Sequence, residues 1–224
     1  MSRPFCWHRW PLLLALLTLG APGPALRTAT AQPPAPLVRR LAPDAPLPAP
    51  LQEPAAQEAL LDYARQLLRH RLGYAPEPSP PAVARQLQRP CFVTFFAGRQ
   101  VIACFGGFSA RQPDLAREIA AHVADALRLD VRARKIDRQA ALRAGVQLTF
   151  PGEPRPLADY RQLDPAREGL FVENERQGIV IVPGEAKTAA YAYRQAMRRL
   201  GETDPGRVRL QRFAASLLAL RGAD

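Results

Sequence analysis

Apolar residues recur at helical spacing from residue 54 onward. Leu60, Leu61, Ala64, Leu67, Leu68 and Leu72 form an i, i+3/i+4 stripe, the pattern of a helix with one buried face. Pro54 suits the first turn, where its missing N–H leaves no bond unmade, and Gly73 suits the stop. A helix is therefore predicted over 54–72. From Cys91 the pattern changes to two runs of β-branched and aromatic residues. Cys91-Phe-Val-Thr-Phe-Phe96 and Val101-Ile-Ala-Cys-Phe105 flank Ala97-Gly98-Arg99, which predicts a hairpin over 91–105. Both of its faces are largely apolar, the pattern of a central element rather than an edge one. With Ala97 and Gly98 as the turn residues, Cys91 falls directly opposite Cys104. A three-residue loop would split them.

Downstream, a second helix is predicted over 113–129, with Leu115, Ile119, Val123, Ala126 and Leu127 on its buried face. Asp114 and Glu118 sit near the positive end of its dipole. A short helix over 137–144 stops at Gly145, and Val146–Phe150 alternates apolar and polar like a half-buried strand. Strands over 169–173 and 177–182 flank Asn174-Glu175-Arg176, a helix over 185–200 stops at Gly201, and a strand over 207–213 closes the chain. Hairpins outnumber β-α-β units. The predicted class is α+β, a mostly antiparallel sheet with helices packed on it, in one domain over 54–224.

The hairpin carries the most specific motif. Phe92-Val-Thr, a short turn, then Val101-Ile-Ala-Cys-Phe-Gly106 resembles the F-V-T-L, turn, L-R-G-C-I-G motif of the AMME-syndrome candidate-gene (AMMECR-type) family. Its bacterial members are called AmmeMemoRadiSam system protein A. Leu61–Gly73 resembles that family's opening helix, and Gly169-Leu-Phe-Val-Glu173 its H-G-V-L-V-E strand. Gly178-Ile-Val-Ile-Val-Pro183 resembles its G-L-F-L-P strand, and Val208–Phe213 its L-Y-R-F strand. The resemblance runs from about Leu60 to Phe213. Ile102 and Ala103 replace the family's arginine and first glycine, and Gln147 stands where a glutamate is usual. The resemblance implies the same α+β class. Its relatives are named for co-occurrence with Memo-type and radical-SAM proteins, which implies a Memo-like protein partner.

Residues 1–31 read as a separate unit, a signal peptide. Arg3 and Arg9 precede an apolar, leucine-rich run over 11–19, and Ala29-Thr-Ala31 is an A-x-A cleavage signal before Gln32. That run is shorter than the roughly 20 residues of a membrane span. Export by the general secretory route to the periplasm or beyond is expected, the alternative being an uncleaved anchor. Cleavage leaves 193 residues, enough for one sizeable core, and lowers the formal charge from +11 to +8. Residues 32–53 are proline-rich and read as an extended spacer. Lys135 and Lys187 are the only lysines, so the positive charge is arginine, in keeping with a GC-rich bacterial genome.

The chemistry available is limited. Beyond the leader the chain holds Cys91, Cys104, His70 and His122, without the close-spaced pairs of a zinc site, so no metal is expected. No phosphate-loop, dinucleotide or nucleophile-elbow pattern occurs, and no cofactor is expected. Arg132, Arg134, Lys135 and Arg138 read as a solvated face. No aromatic residues interleave to stack bases, so nucleic acid is not expected, and contact with anionic lipid would be weak. Two functional readings follow. In the first, a cleft near the Cys104–Gly107 turn binds a small molecule or a Memo-like partner, with Gly106 and Gly107 offering backbone N–H groups. In the second, Cys104 is a nucleophile with His122 as base, oriented by Asp125. A Cys91–Cys104 disulfide would exclude the second.

Overall fold

The computed structural model describes residues 37–40, as backbone, and 47–222. The expected signal peptide and cleavage point lie outside these residues. Helix α1 (Pro54–Arg71) buries Leu60, Leu61, Ala64, Leu67 and Leu68, the face read from the sequence. The domain begins before it. Leu47 and Leu51 are in the core, and the Gln57 amide donates to the Leu51 carbonyl (2.8 Å), tying the 3-10 turn Ala49–Leu51 to α1. Strand β1 (Leu37–Arg40) also falls within the stretch expected as a free spacer. A one-turn helix α2 (Ala82–Arg85) leads into the hairpin β2 (Phe92–Ala97) and β3 (Gln100–Gly106).

Helix α3 (Leu115–Leu129) follows, opened by Asp114, whose side chain accepts from Arg117 N–H. Then come α4 (Arg138–Arg143), β4 (Gly145–Pro151), β5 (Arg155–Pro156), β6 (Glu168–Glu173) and β7 (Gly178–Ile181). Helix α5 (Ala189–Leu200) and strand β8 (Arg209–Leu220) complete the fold. The predicted helix over 185–200 starts later because the Thr188 hydroxyl caps Tyr191 N–H (3.2 Å). That leaves Glu185 in the preceding loop.

All strand pairs are antiparallel, in the order β3-β2-β4-β8-β6-β7, with β1 and β5 also on β8. The chain is thus α+β. The last strand is the spine of the sheet. Its end, Ala215–Leu220, lies between β4 and β1, while its start pairs with β6 and β5. It runs seven residues past the predicted stop at Phe213. Ala214-Ala-Ser-Leu-Leu-Ala-Leu220 has the composition of a helix, and burial between two neighbouring strands overrides it.

Two hydrophobic clusters sit on this spine. The first joins α1 and α3 to β2, β4 and the end of β8; the second joins α5 to β6 and β7 with Leu157 and Leu163. Phe92, Phe108, Phe171 and Phe213 link the two lobes, with ring centroids 5.0–6.2 Å apart along the chain of contacts. The Phe92–Phe108 and Phe108–Phe213 contacts are edge-to-face, a geometry that adds to the apolar gain.

The hairpin differs from its predicted register. The turn residues are Gly98 and Arg99, with Gly98 at φ 57°, a left-handed value that glycine adopts without a Cβ clash. Ile102 is an extra residue between the Phe96–Val101 and Phe95–Ala103 pairs, a β-bulge. Cys104 therefore faces Thr94, while the Cys91 carbonyl accepts from Gly107 N–H (3.2 Å). Cys91 directly precedes β2, three positions before Thr94, so alternation puts it on the opposite face, in the first core. Both cysteines are free. The expected pairing is split by the bulge and the shifted turn. Strand β2 is central as expected, but β3 is the outer strand.

Candidate functional site

Cys104, Thr94 and Gln147 lie in direct register across β3, β2 and β4. Alternation puts this row on the sheet face away from Val93, Phe95, Val146 and Leu148, which are in the first core. The Thr94 hydroxyl is 3.2 Å from the Cys104 sulfur, and the Gln147 amide donates to the Thr149 hydroxyl (3.1 Å). Gln147 thus places a neutral amide on the same face as Cys104.

Among the described residues no strand pairs with β3 on its outer side, so its outward N–H groups need other acceptors. Cys104 N–H donates to Asp130 Oδ2 (2.9 Å). Asp130 ends α3 and opens the 3-10 turn Val131–Lys135, accepting Arg132 N–H at Oδ1 (3.0 Å). The same carboxylate grips the Arg132 guanidinium, with Nε to Oδ1 at 3.0 Å and Nη2 to Oδ2 at 2.6 Å. Burial works to raise the Asp130 pKa, but the Arg132 bonds and the Cys104 N–H together hold it below the usual carboxylate range. Arg132 is correspondingly held charged despite its own burial.

From there the network crosses to the second lobe. Arg132 Nη1 lies 3.9 Å from Glu185 Oε1, and Arg199 Nη2 lies 2.9 Å from the same oxygen. Glu185 Oε2 accepts Val182 N–H (3.3 Å). Around this bridge opens a cleft of about 330 Å3. The hairpin tip lines one side with Arg99, Gln100 and Val101, together with Arg132. The second lobe supplies Ile181, Glu185 and Ala186 after β7, and Tyr191, Gln195 and Arg199 from α5. The volume is at the small end for organic ligands, whose sites run from about 300 Å3 upward.

The structure does not assemble the pair expected for catalysis. Burial first, then Glu185, pushes the Cys104 thiol up to about 11, against the opposing pull of Thr94 and Arg132. The thiol stays protonated at neutral pH. His122 is fully buried on α3, with Nε2 2.9 Å from Glu118 Oε1 and Nδ1 3.5 Å from Arg111 Nη2. Nε2 sits beside Glu118 Oε1 without hydrogen-bond geometry, Nδ1 lies near Arg111, and neither nitrogen is paired with Cys104. Burial lowers the His122 pKa, with Glu118 opposing and Arg111 reinforcing the shift. Asp125 pairs with Arg128 (2.7 Å) and Arg111 (3.5 Å), not with His122.

Gly106 and Gly107 are also placed differently from expectation. A Cβ at Gly106 would overlap the Cys91 carbonyl and Phe92 Cα, so its bareness serves the close approach of β3 to β2. Gly107 N–H is spent on Cys91. Gly106 ends β3 and Gly107 follows it, both away from the hairpin tip that lines the cleft. Sequence reasoning missed Glu118, read only as a dipole residue. It is buried, and its Oε2 accepts Arg111 N–H (2.9 Å) and Gln112 N–H (2.7 Å), clamping the loop after Gly107. It also missed Glu185, and read Arg132 as part of a solvated face although its side chain is only 27% exposed. The Asp130-x-Arg132 spacing was the available signal.

The AMMECR1 family profile matches residues 61–216. The chain belongs to the AMMECR1 family. Among solved structures, this AMMECR1 domain is similar to an uncharacterized protein, PH0010, from Pyrococcus horikoshii, at 17% identity and a TM-score of 0.57. The match covers 72% of this chain and 89% of that one. At that identity the likeness carries the fold alone. No curated protein matches the chain. No described helix of the AMMECR1 domain is long and apolar enough to cross a membrane.

Proposed function

We propose that this AMMECR1 domain is a binding module that holds a small molecule in the cleft between its two lobes. The observation that carries this reading is the convergence of the β2–β3 tip, Arg132 and α5 on one concavity of about 330 Å3. Charged and apolar side chains share its lining, as in sites that orient an organic ligand. The motif cysteine adjoins it through Asp130 and Arg132, which gives Cys104 a part in positioning the cleft wall. A reaction at Cys104 is less well supported, since its thiol is protonated and His122, the expected base, is buried beside Glu118 and Arg111.

The test is a fragment screen read by ligand-observed NMR on the wild type and Gln195→Trp, which fills the cleft from α5. Fragments that bind the wild type and are lost in the variant support the module. Equal binding to both proteins, or none to either, contradicts it. Export and a Memo-like partner belong to the same proposal on sequence grounds. N-terminal sequencing should find Gln32 first, and an intact Met1 in the cytosol would overturn export. A pulldown from the native compartment should enrich a Memo-like protein, and repeated failure counts against that partner.

A further inference from the structure

Building on the reading of the cleft as a small-molecule site, we infer that its ligand is a small organic acid. Its carboxylate or phosphate group would be taken by Arg99 and the Arg132–Arg199 pair, with Glu185 acting as an internal competitor. Three arginines and one carboxylate line the cleft. The Asp130 carboxylate, behind the wall, neutralises one arginine, and Glu185 is shared between Arg132 and Arg199. Arg99 has no carboxylate within ion-pair distance among the described residues. The cleft therefore keeps an unneutralised positive charge at its mouth.

A cationic ligand would find only Glu185, whose two oxygens are already engaged by Arg132, Arg199 and Val182 N–H. An oxyanion would find three guanidinium groups, whose planar donors suit carboxylate and phosphate oxygens. The remaining lining sets the ligand's body. Ile181 and Ala186 are buried behind the lining, and the apolar surface left open to a ligand is that of half-buried Val101 and of Tyr191, which is 47% exposed. An inorganic ion would leave that surface uncovered, whereas an apolar or aromatic body would bury it. Glu185 Oε1 already occupies the point between Arg132 and Arg199 that a ligand oxygen would take. The ligand has to displace it or share the cations with it.

Calorimetric titration of the full chain with phenyl phosphate, phenylacetate, inorganic phosphate, phenethylamine and benzyl alcohol tests this. The acids should bind and the amine should not; the tighter of the two acids identifies the head group. Arg99→Gln, at an exposed turn, should weaken acid binding by about tenfold, and Glu185→Gln should strengthen it by about tenfold. Each corresponds to about 1.4 kcal/mol. Inorganic phosphate matching phenyl phosphate would overturn the organic body. Acid binding indifferent to both variants would overturn the charge assignment. Benzyl alcohol or the amine binding in preference to the acids, and lost in Gln195→Trp, would sink this inference while leaving the small-molecule cleft intact. Melting curves of each variant confirm that folded protein is compared.

Discussion

Replacing Asp130 by alanine should destabilise the domain through groups that no core-packing count would include. Its carboxylate is 9% exposed and accepts Cys104 N–H, Arg132 N–H and the Arg132 guanidinium. Cys104 N–H then faces the outer side of β3, where no strand pairs among the described residues, and such a loss costs about 1–3 kcal/mol. Loss of the cap on the following 3-10 turn costs about 1 kcal/mol. The guanidinium, 27% exposed, can partly rehydrate and adds little. The sum is about 2–4 kcal/mol, a melting-temperature drop of roughly 4–16 °C for a domain of this size. Asp130→Asn keeps an acceptor oxygen and should lose about half as much.

Urea unfolding of the three proteins measures it. The pH dependence follows from the low folded-state pKa of Asp130. A depressed carboxylate contributes its stability above the unfolded value and loses it as pH falls through the folded one. The gap between wild type and Asp130→Ala should hold constant above about pH 5 and close below about pH 4. A gap under about 0.5 kcal/mol at neutral pH, or one that widens in acid, would refute the reasoning.

Gly106→Ala should cost upward of about 3 kcal/mol in urea unfolding, because its Cβ meets backbone and not a yielding side-chain tip; a tolerated alanine would return Gly106 to the candidates for ligand binding. The His122 pKa is lowered by burial, so the unfolded chain binds its proton first, and stability should fall as pH drops below about 6.5. His122→Gln should flatten that slope in melting curves taken from pH 8 to 5. Cys104, with its thiol near 11, should react with iodoacetamide at pH 7.4 more than tenfold more slowly than a free cysteine. Mass spectrometry of the same sample under non-reducing conditions should find Cys91 and Cys104 unpaired, since they lie on opposite faces of the hairpin.

The elements with strong periodicity were legible in the sequence. The α1 stripe and the α3 face lie where the apolar spacing put them, because one-sided burial imposes the period directly. What could not be read depended on tertiary context. Ala214–Leu220 is helical by composition and a strand by placement. The hairpin register turned on one bulged residue, Ile102, and a single-residue shift moves every partner. The cleft was hidden for a related reason. Arg99, Arg132, Glu185 and Arg199 are far apart in sequence and meet only once two lobes fold on a shared strand. The motif glycines drew attention to the wrong end of β3, since a glycine needed for close packing looks the same in sequence as one that bares backbone to a ligand.

The most direct measurement of the central claim is amide chemical-shift mapping on the labelled full chain during titration with phenyl phosphate and phenylacetate. The account predicts that saturable shifts cluster at Arg99–Val101, Arg132, Glu185–Ala186 and Tyr191–Arg199, and vanish in Gln195→Trp. Shifts centred on Gly106–Gly107 or His122, or no saturable shifts from either acid, would contradict it.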